Sequence, residues 1–376
     1  MFEQSIVKEG KTEIIVPDSS LKEKVPPRDP AFFNPLGALK RDLLVAVVAG
    51  YAVNLGSKIA YGDPLAGVGA GSIRVCNEVD YVKRVYLNDL NPDALGLAKA
   101  SAKLNGVYHR CSFSRYEAND FLSKHSGPHK RLDCIELDPF GSPAPFLESA
   151  VQACKIKGMV SATATDGAVL CGVHPEVCFR KYGSNSLNTE YCHEIAVRII
   201  YAALAFAAMR LDLGISPVFA HTTKHYTKVN VVINAKPVPT SKEIGYISHC
   251  FSCGARTVDK IVIERCKECK KKTRYAGPLW IGELFNKQIV EKSLKFAPNK
   301  GSKQLLEGAL SEITSPKTYF VIDRMCDGLG IPPPPLSRII GILQRKGFIA
   351  VRTILNPRAL RTNAAGTKLR EILKSA

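Results

Sequence analysis

The segment SKIAYGDPLAGVGAGSIR, residues 57–74, gives the clearest indication of the fold of this chain. It begins with a short apolar run, turns at Asp63, and continues into a glycine-rich segment that contains Gly67, Gly69 and Gly71. A strand that passes through such a turn into a helix is a unit of α/β folds, and the glycines allow the backbone to approach a ligand closely. The stretch therefore predicts a ligand-binding turn at the end of a buried strand.

Similar units follow along the chain. The segments VKRVYLNDLNPDAL (82–95), RLDCIELDPFG (131–141) and KGMVSATATDG (157–167) each end an apolar run in an acid or a glycine turn, with helix-like stretches between them. Residues 214–235 contain two more strand-like runs, which we expect to close one edge of the sheet. This alternation predicts an α/β fold with a mostly parallel sheet.

Length and composition narrow the class of protein. The 376 residues are enough for two domains, and the 45% hydrophobic and 23% charged content is typical of a soluble globular protein. The longest apolar runs are shorter than the roughly 20 residues that cross a bilayer, and we find no secretory signal. We therefore predict a cytoplasmic protein, expected to be a monomer without a membrane segment, whose twelve cysteines are thiols or metal ligands.

The charge is strongly positive and unevenly distributed. The net charge is +18, and residues 251–376 hold 24 Lys and Arg against 10 Asp and Glu. Such asymmetry favours a polyanionic partner, first nucleic acid and second an anionic membrane surface, although a basic surface can also serve solubility alone. The composition changes at KPVPTSKE, which predicts one domain over 1–236 and a second over 237–376.

Asp89 and the glycine-rich turn together predict a nucleoside cofactor. Asp89 ends an apolar run twenty residues after Gly69, a distance at which an acid can accept both hydroxyls of a ribose. The glycine at position 71 comes one residue too early for the G-x-G-x-x-G pattern of pyrophosphate-binding folds. An S-adenosyl ligand has no pyrophosphate, so the spacing favours such a ligand over a dinucleotide.

A third acidic turn, YEANDFL at 116–122, is a candidate adenine site. Glu117 or Asp120 can accept the adenine amine, with the Ala118 backbone beside it. Either acid can instead be a helix cap, and the sequence leaves the choice open.

The segment IELDPFGSP, residues 135–143, is the candidate reaction site. The Asp138 carboxylate and the Pro139 carbonyl can accept hydrogen bonds from a base amine, and the Phe140 ring can stack on a base. An exocyclic amine becomes cationic as it accepts a methyl group, and a neighbouring carboxylate stabilises that charge and can take the proton. Asp138 is therefore the predicted catalytic residue.

Four cysteines near the start of the basic C-terminal part have the spacing of a zinc site. Two C-x-x-C pairs, with twelve residues between them, match a tetrahedral four-thiolate site with no open position. We therefore predict a structural zinc ion in a ribbon over about 246–275, with the ligands Cys250, Cys253, Cys266 and Cys269.

Seven segments, taken in order, resemble a known enzyme family. They are FFNPLGALKRDL, DPLAGVGAGSIR, VYLNDLNPDAL, LDPFGSP, TATDGAVLCGVHPEVCFRKYG, CHEIAVRI and YAGPLWIGEL. The chain resembles the tRNA guanine N2-dimethyltransferases from about Gly10 to its C-terminus. These enzymes use S-adenosylmethionine to modify guanine 26 of tRNA. The resemblance implies a Rossmann-like class I methyltransferase domain followed by a smaller α+β C-terminal domain.

The resemblance also implies roles for individual residues. Arg41, Asp89, and Glu117 with Ala118 would contact the cofactor. Asp138 would be the catalytic carboxylate, with Pro139 and Phe140 shaping the base site and Phe32 forming a second wall. The sequence departs from the family pattern at Gly71, where the family has an arginine.

The C-terminal segment predicts a tRNA-binding module. A helix, the breaker IPPPP, a second helix and two strand-like runs suggest a winged-helix-like fold over about 302–376. Such a module can lay basic side chains along a phosphate backbone. The candidates for tRNA contact are Arg338, Arg345, Lys346, Arg352, Arg358 and Arg361.

Two other functions remain open at the level of sequence. An NAD-dependent oxidoreductase is favoured by Asp89 but disfavoured by the glycine spacing and by the basic, cysteine-bearing half. A non-catalytic RNA-binding zinc protein would also explain the charge. The number of methyl groups added, the acceptance of a neighbouring guanine and the preferred tRNAs are not determined by the sequence.

Overall fold

The computed structural model describes residues 2–23, 27–223 and 225–375. The strands are β1 Gln4–Glu9, β2 Thr12–Pro17, β3 Ile59–Asp63, β4 Val82–Asn88, β5 Cys111–Ser114, β6 Leu132–Leu137, β7 Cys154–Ala164, β8 Gly214–Thr222, β9 Thr227–Asn234, β10 Ile244–His249, β11 Arg256–Asp259, β12 Arg274–Trp280, β13 Phe320–Val321, β14 Ala350–Thr353 and β15 Asn356–Thr362. Lys224, within the segment predicted to form two edge strands, and Val25 and Pro26 of the Pro-rich connection lie outside the described residues.

The helices lie between these strands. They are α1 Ser19–Lys22, α2 Ala38–Leu55, α3 Ala70–Glu78, α4 Pro92–Leu104, α5 Ala118–Lys124, α6 Leu147–Ala153, α7 Gly167–Leu170, α8 Pro175–Tyr182, α9 Cys192–Met209, α10 Val238–Ser241, α11 Lys287–Leu294, α12 Lys300–Glu312, α13 Ile322–Asp327, α14 Leu336–Arg345 and α15 Gly366–Lys374. Within the described ranges, α9 alone is long and apolar enough to span a membrane, and 78% of it is buried inside the protein, as in a core helix.

The largest sheet has seven strands in the order β5-β4-β3-β6-β7-β9-β8. β3 pairs in parallel with β4 on one side and with β6 on the other, and β6 pairs in parallel with β7. Every residue of β3 and of β6 is buried, including the carboxyl groups of Asp63 in β3 and of Asp133 and Glu136 in β6. The prediction of an α/β fold with a mainly parallel sheet is confirmed, and β9 and β8 lie at one edge.

The strand order changes direction at β3. From β3 the chain proceeds outward to β4 and β5, and then returns to place β6 on the opposite side of β3. At such a switch point the loops after the two adjacent strands diverge and leave a crevice beyond their carboxyl ends. This crevice is where a ligand is expected to bind.

The chain forms two compact units. One consists of Met1–Thr163, Asn230–Ala235 and Asn286–Glu307, and the other of Ala164–Val229, Lys236–Phe285 and Gly308–Ala376. In the first unit β1 and β2 form an antiparallel hairpin, and Ile14 and Val16 of β2 are fully buried against Ala94 and Leu97 of α4. The second unit contains two small antiparallel sheets, with strand orders β11-β10-β12 and β13-β15-β14.

Candidate active site

Asp63 and Asp138 lie at the ends of the two strands that form the switch point. Asp63 is the last residue of β3, and Asp138 directly follows β6. Burial, together with the nearby Glu136 and Asp138 carboxylates, raises the pKa of Asp63 to about 7, against hydrogen bonds from Ser72 Oγ at 2.5 Å and the Leu65 amide at 3.1 Å. The crevice thus contains several carboxyl groups from the ends of neighbouring strands.

The glycines of the first turn serve two structural needs. Gly67 and Gly69 have φ angles of 52° and 73°, which a side chain rarely tolerates, and Gly69 precedes the first residue of α3. A Cβ atom on Gly71 would lie 3.1 Å from Leu44 Cδ2 of α2. Gly67 and Gly69 therefore shape the turn, and Gly71 allows α3 to pack closely on α2.

Asp89 connects the first turn to the end of β4. Its Oδ2 accepts a hydrogen bond from the Gly67 amide at 2.7 Å, and its Oδ1 accepts one from the Asn91 amide at 2.9 Å. The side chain is half-buried. A carboxylate offers about four acceptor positions, so Asp89 retains capacity to accept the two hydroxyls of a ribose.

The third turn is organised by Glu117. Its Oε2 accepts hydrogen bonds from the Asn119 amide at 2.7 Å and the Asp120 amide at 3.4 Å, so Glu117 is the N-cap of α5. Both acids are exposed, and Ala118 is buried. The helix-cap role that the sequence left open for either acid thus belongs to Glu117, and adenine binding by Glu117 or Asp120 stays a prediction.

Arg41 lies in a buried cluster of charges. Its guanidinium donates to Glu9 at 2.5 and 2.7 Å and to the Asn34 carbonyl at 3.0 Å. Arg74, fully buried in α3, pairs with Glu9 at 3.3 Å and with Asp42 at 2.7 Å. Arg41 thus connects the N-terminal hairpin to α2, a structural role that the sequence did not suggest.

Asp138 and the aromatic residues predicted for the base site lie together. The Phe32 and Phe140 rings meet edge to face with their centroids 4.9 Å apart. The Phe140 side chain is exposed, Pro139 is buried, and the Asp138 side chain is 32% exposed. The structure therefore brings a partly exposed carboxylate and an exposed ring to the same crevice.

Lys40 is the residue of this site that the sequence did not reveal. Its Nζ lies 2.5 Å from Asp138 Oδ2, and its side chain is 18% exposed. Lys40 belongs to the first turn of α2, 98 positions before Asp138, so no local spacing relates the two residues. The only indication in the sequence was that Lys40 lies within FFNPLGALKRDL, one of the seven segments that resemble the enzyme family.

The four cysteines of the predicted zinc site converge. Their Sγ atoms all lie within 4.8 Å of one another, with Cys250 and Cys269 3.4 Å apart and Cys253 and Cys266 3.5 Å apart. All four are free thiols. A tetrahedral zinc ion with Zn–S bonds of about 2.3 Å separates its sulfur ligands by about 3.8 Å, so the residues fit the metal.

Each cysteine pair forms the same backbone turn. The amide four residues after the first cysteine donates to that cysteine's carbonyl, at 2.8 Å for Gly254 and 3.0 Å for Lys270. Both residues have positive φ angles, 78° and 62°. The repeated turn presents both sulfur atoms of a pair to one point, which is the geometry that four-thiolate coordination needs.

The predicted tRNA-contacting residues differ in exposure. Five of the six are exposed, namely Arg338, Arg345, Lys346, Arg352 and Arg358. Arg361 is 2% exposed and pairs with Glu194 at 2.9 Å and Glu312 at 2.5 Å. The prediction that Arg361 contacts tRNA is therefore corrected, because a buried, doubly paired guanidinium cannot reach a phosphate.

The fold and the crevice define a class of protein. A mainly parallel seven-stranded sheet, with a glycine turn and strand-end acids at its switch point, is the arrangement of a Rossmann-like methyltransferase. The profile of the N2,N2-dimethylguanosine tRNA methyltransferase family matches residues 10–374. The chain belongs to that family, which decides against the oxidoreductase and the non-catalytic alternatives.

Individual relatives match over nearly their full length. The tRNA (guanine(26)-N(2))-dimethyltransferase of Methanobrevibacter smithii is 33% identical over 98% of this chain and 97% of its own. The tRNA (guanine(26)-N(2)/guanine(27)-N(2))-dimethyltransferase of Aquifex aeolicus is also 33% identical, over 95% and 93%. The structure of Trm1 from Pyrococcus horikoshii with S-adenosyl-L-methionine matches with a TM-score of 0.83 and 30% identity, covering 98% of this chain and 99% of that one.

Proposed function

We propose that this protein transfers methyl groups from S-adenosylmethionine to the N2 amine of guanine 26 in tRNA, giving N2-methyl- and N2,N2-dimethylguanosine. One observation carries the proposal. In a chain that matches the family over residues 10–374, Asp138 lies at the sheet's switch point beside the exposed Phe140 ring. A carboxylate and an aromatic face are the groups that a flipped guanine requires.

The first three strand ends hold the cofactor, which supplies an activated methyl group. The Gly67–Gly69 turn gives the ligand access to the backbone, and Asp89 accepts the ribose hydroxyls. Glu117 or Asp120 accepts the adenine amine beside the Ala118 backbone. Three residues support this pocket from outside it. Asp63 holds the first turn through Ser72, Gly71 allows α3 to pack closely on α2, and Arg41 fixes the position of α2.

Asp138 binds and activates the guanine. Its carboxylate accepts an N2–H hydrogen bond, the Pro139 carbonyl accepts the other, and the base stacks on Phe140 with Phe32 as the second wall. The N2 lone pair is conjugated with the base, so the amine is a weak nucleophile and becomes cationic as the methyl group is transferred. The carboxylate stabilises that charge and takes the proton.

Lys40 positions Asp138 before the base binds. In the free protein the Lys40 ammonium group lies against the Asp138 carboxylate, with Nζ 2.5 Å from Oδ2. The incoming N2–H group replaces the ammonium as a hydrogen-bond donor to Asp138. The ion pair with Lys40 therefore fixes the position of the Asp138 carboxylate until the base displaces the ammonium group.

Nucleoside mass spectrometry tests the proposed function. Unmodified tRNA is incubated with the protein and S-adenosylmethionine, digested and analysed, and a second digest maps the modified position. We expect N2-methylguanosine and N2,N2-dimethylguanosine at position 26. Methylation of a different base, or of a different atom of guanine, would contradict the proposal. The same mapping reports whether guanine 27 is modified, as the name of the Aquifex relative implies for that enzyme.

Replacing Asp89 by Ala is expected to weaken S-adenosylmethionine binding by about 10- to 100-fold, because hydrogen bonds to a charged group contribute about 1.5–3 kcal/mol. The change also removes the acceptor of the Gly67 amide. Isothermal titration calorimetry measures the affinity. The matched control is Asp80→Ala, which removes an exposed carboxylate before β4. Equal affinity in the two variants would show that Asp89 does not bind the cofactor.

The C-terminal part binds tRNA. The elements β13, α13, α14, β14 and β15 follow the order of a winged helix, with β15 paired between β13 and β14. α14 ends at Arg345 and is followed by Lys346, both exposed, and Arg352 and Arg338 are also exposed. We include this winged-helix-like module and the zinc ribbon in a domain over residues 237–376, after a methyltransferase domain over 1–236.

The double variant Arg345→Ala, Lys346→Ala is expected to bind tRNA more weakly and with a smaller salt dependence. Each phosphate contact contributes about 1 to the slope of log K against log salt concentration, so the slope should fall by about 2. Filter binding over a range of KCl concentrations measures it. Lys58→Ala removes an exposed lysine before β3 and serves as the control. An unchanged slope would remove these two residues from the tRNA-binding face.

We also infer a monomer that works in the cytoplasm. The twelve free cysteines suit a reducing compartment. Light scattering coupled to size-exclusion chromatography reports the oligomeric state.

A further inference from the structure

A second group of metal-binding side chains lies outside the ribbon. The ligand atoms of Cys171, Cys192 and His193 all lie within 4.8 Å of one another, and Cys171 Sγ is 3.8 Å from His193 Nδ1. All three side chains are partly exposed. None of these three residues takes part in the proposed methyl transfer. Cys171 lies far in sequence from Cys192 and His193, so the three form no recognisable metal-ligand motif.

The backbone brings these residues together at a close crossing. Cys171 is the C-cap of α7, and Cys192 and His193 are the first two residues of α9. Between them, Gly172 has a φ angle of 85°, and a Cβ atom there would lie 2.3 Å from the Asn188 nitrogen. Only glycine permits this contact, so the chain after α7 passes closely against the Leu187–Asn188 backbone, which leads into α9.

The donor set suits zinc. Two thiolates and an imidazole are ligands that zinc prefers, and sites with three protein ligands keep a fourth position for water. A tetrahedral zinc ion separates its sulfur and nitrogen ligands by about 3.6 Å. The observed 3.8 Å between Cys171 Sγ and His193 Nδ1 is close to that value.

A buried hydroxyl supplies a second, independent observation. Tyr319 is 0% exposed, and its hydroxyl has no hydrogen-bond partner within the described part of the chain. The Tyr319 ring lies 6.4 Å, centroid to centroid, from the ring of Tyr191, the residue directly before Cys192. A buried hydroxyl normally has a partner, and a water molecule bound to a metal would provide one.

We propose that Cys171, Cys192 and His193 form a second zinc site, with three protein ligands and a water molecule in the fourth position. The ion connects the end of α7 to the start of α9. It lies apart in sequence from the four-cysteine ribbon and takes a different ligand set. Since water is one of its ligands, this zinc is expected to be released by chelators more readily than the ribbon zinc.

Metal analysis of the full-length protein tests the proposal. Protein purified with zinc in all buffers is expected to hold two zinc ions per chain by plasma mass spectrometry. The variant Cys171→Ser, Cys192→Ser is expected to hold one. The control Cys178→Ser changes a buried cysteine of the same region that is not part of the cluster, and it should retain two. A single zinc ion in the wild-type protein, or two in the double variant, would overturn the proposal.

X-ray absorption on the wild-type protein keeps the test valid if the double variant does not fold. A ribbon site alone gives four sulfur ligands per zinc. The two proposed sites together give an average of three sulfur ligands and one nitrogen or oxygen ligand. Four sulfur ligands per zinc would contradict the second site, whatever the variants do.

Discussion

Replacing Asp138 by Asn is expected to lower the rate of guanine methylation by about 10²- to 10⁴-fold, the usual contribution of a positioned general base. Asparagine has nearly the same shape but carries no charge, so it neither stabilises the cationic amine nor takes its proton. Affinity for tRNA and for S-adenosylmethionine should change little. Single-turnover methyl transfer with saturating protein measures the chemical step, and filter binding measures tRNA affinity.

The matched control for Asp138 is Asp93→Asn. Asp93 is an exposed carboxylate in the first turn of α4, a helix that follows β4 and not β6. The Asp93→Asn variant should therefore methylate guanine at the rate of the unaltered protein. A rate for Asp138→Asn within threefold of this control would exclude Asp138 as the base. If the loss were instead entirely in S-adenosylmethionine affinity, Asp138 would belong to the cofactor pocket.

Replacing Glu194 by Gln is expected to lower the free energy of unfolding by about 3–5 kcal/mol. Glu194 is fully buried, pairs with Arg198 at 2.7 Å and Arg361 at 2.9 Å, and accepts the Thr318 amide at 3.0 Å. Without its charge, Arg198 loses the carboxylate with which it pairs, and Arg361 keeps its ion pair with Glu312. Such uncompensated burial of charge is strongly destabilising.

Urea unfolding followed by circular dichroism measures this effect. Glu371→Gln is the control, because Glu371 is exposed and pairs with Lys368 on the surface of α15, where an ion pair contributes about 0–1 kcal/mol. The urea concentration at the midpoint of unfolding should fall markedly for Glu194→Gln and hardly change for Glu371→Gln. Equal midpoints would mean that Arg198 and Arg361 are stabilised by other groups.

The sequence predicted most of the sheet and many of the positions in the candidate site. Strands β3, β4 and β6 each fall within a segment whose apolar run ended in an acid or a glycine turn, and β7 overlaps the fourth such segment but begins three residues before it. Parallel neighbours present their carboxyl ends at the same edge, so strand ends alone placed Asp63, Asp89 and Asp138 together. The four-cysteine cluster was equally predictable, because metal ligands repeat at short, fixed spacings.

The sequence could not assign partners to the charged residues. Arg361 follows Arg358 in a basic segment. Arg358 is exposed and pairs with Asp323, whereas Arg361 is buried and pairs with Glu194 and Glu312. Both arginines have the same sequence signal. Their exposure differs because successive residues of β15 face opposite sides of the small sheet, and tertiary packing determines which side is buried.

Local sequence determined the strand-forming segments, the glycine turns, the strand-end acids and the cysteine pairs, because each depends on residues a few positions apart. Only the tertiary structure decided that Lys40 meets Asp138, that Arg41 and Arg74 share Glu9, and that Cys171 meets His193. Those contacts join residues from 22 to 98 positions apart. No local spacing encodes such pairs, since they form only when separate elements pack and bury the same charges and thiols.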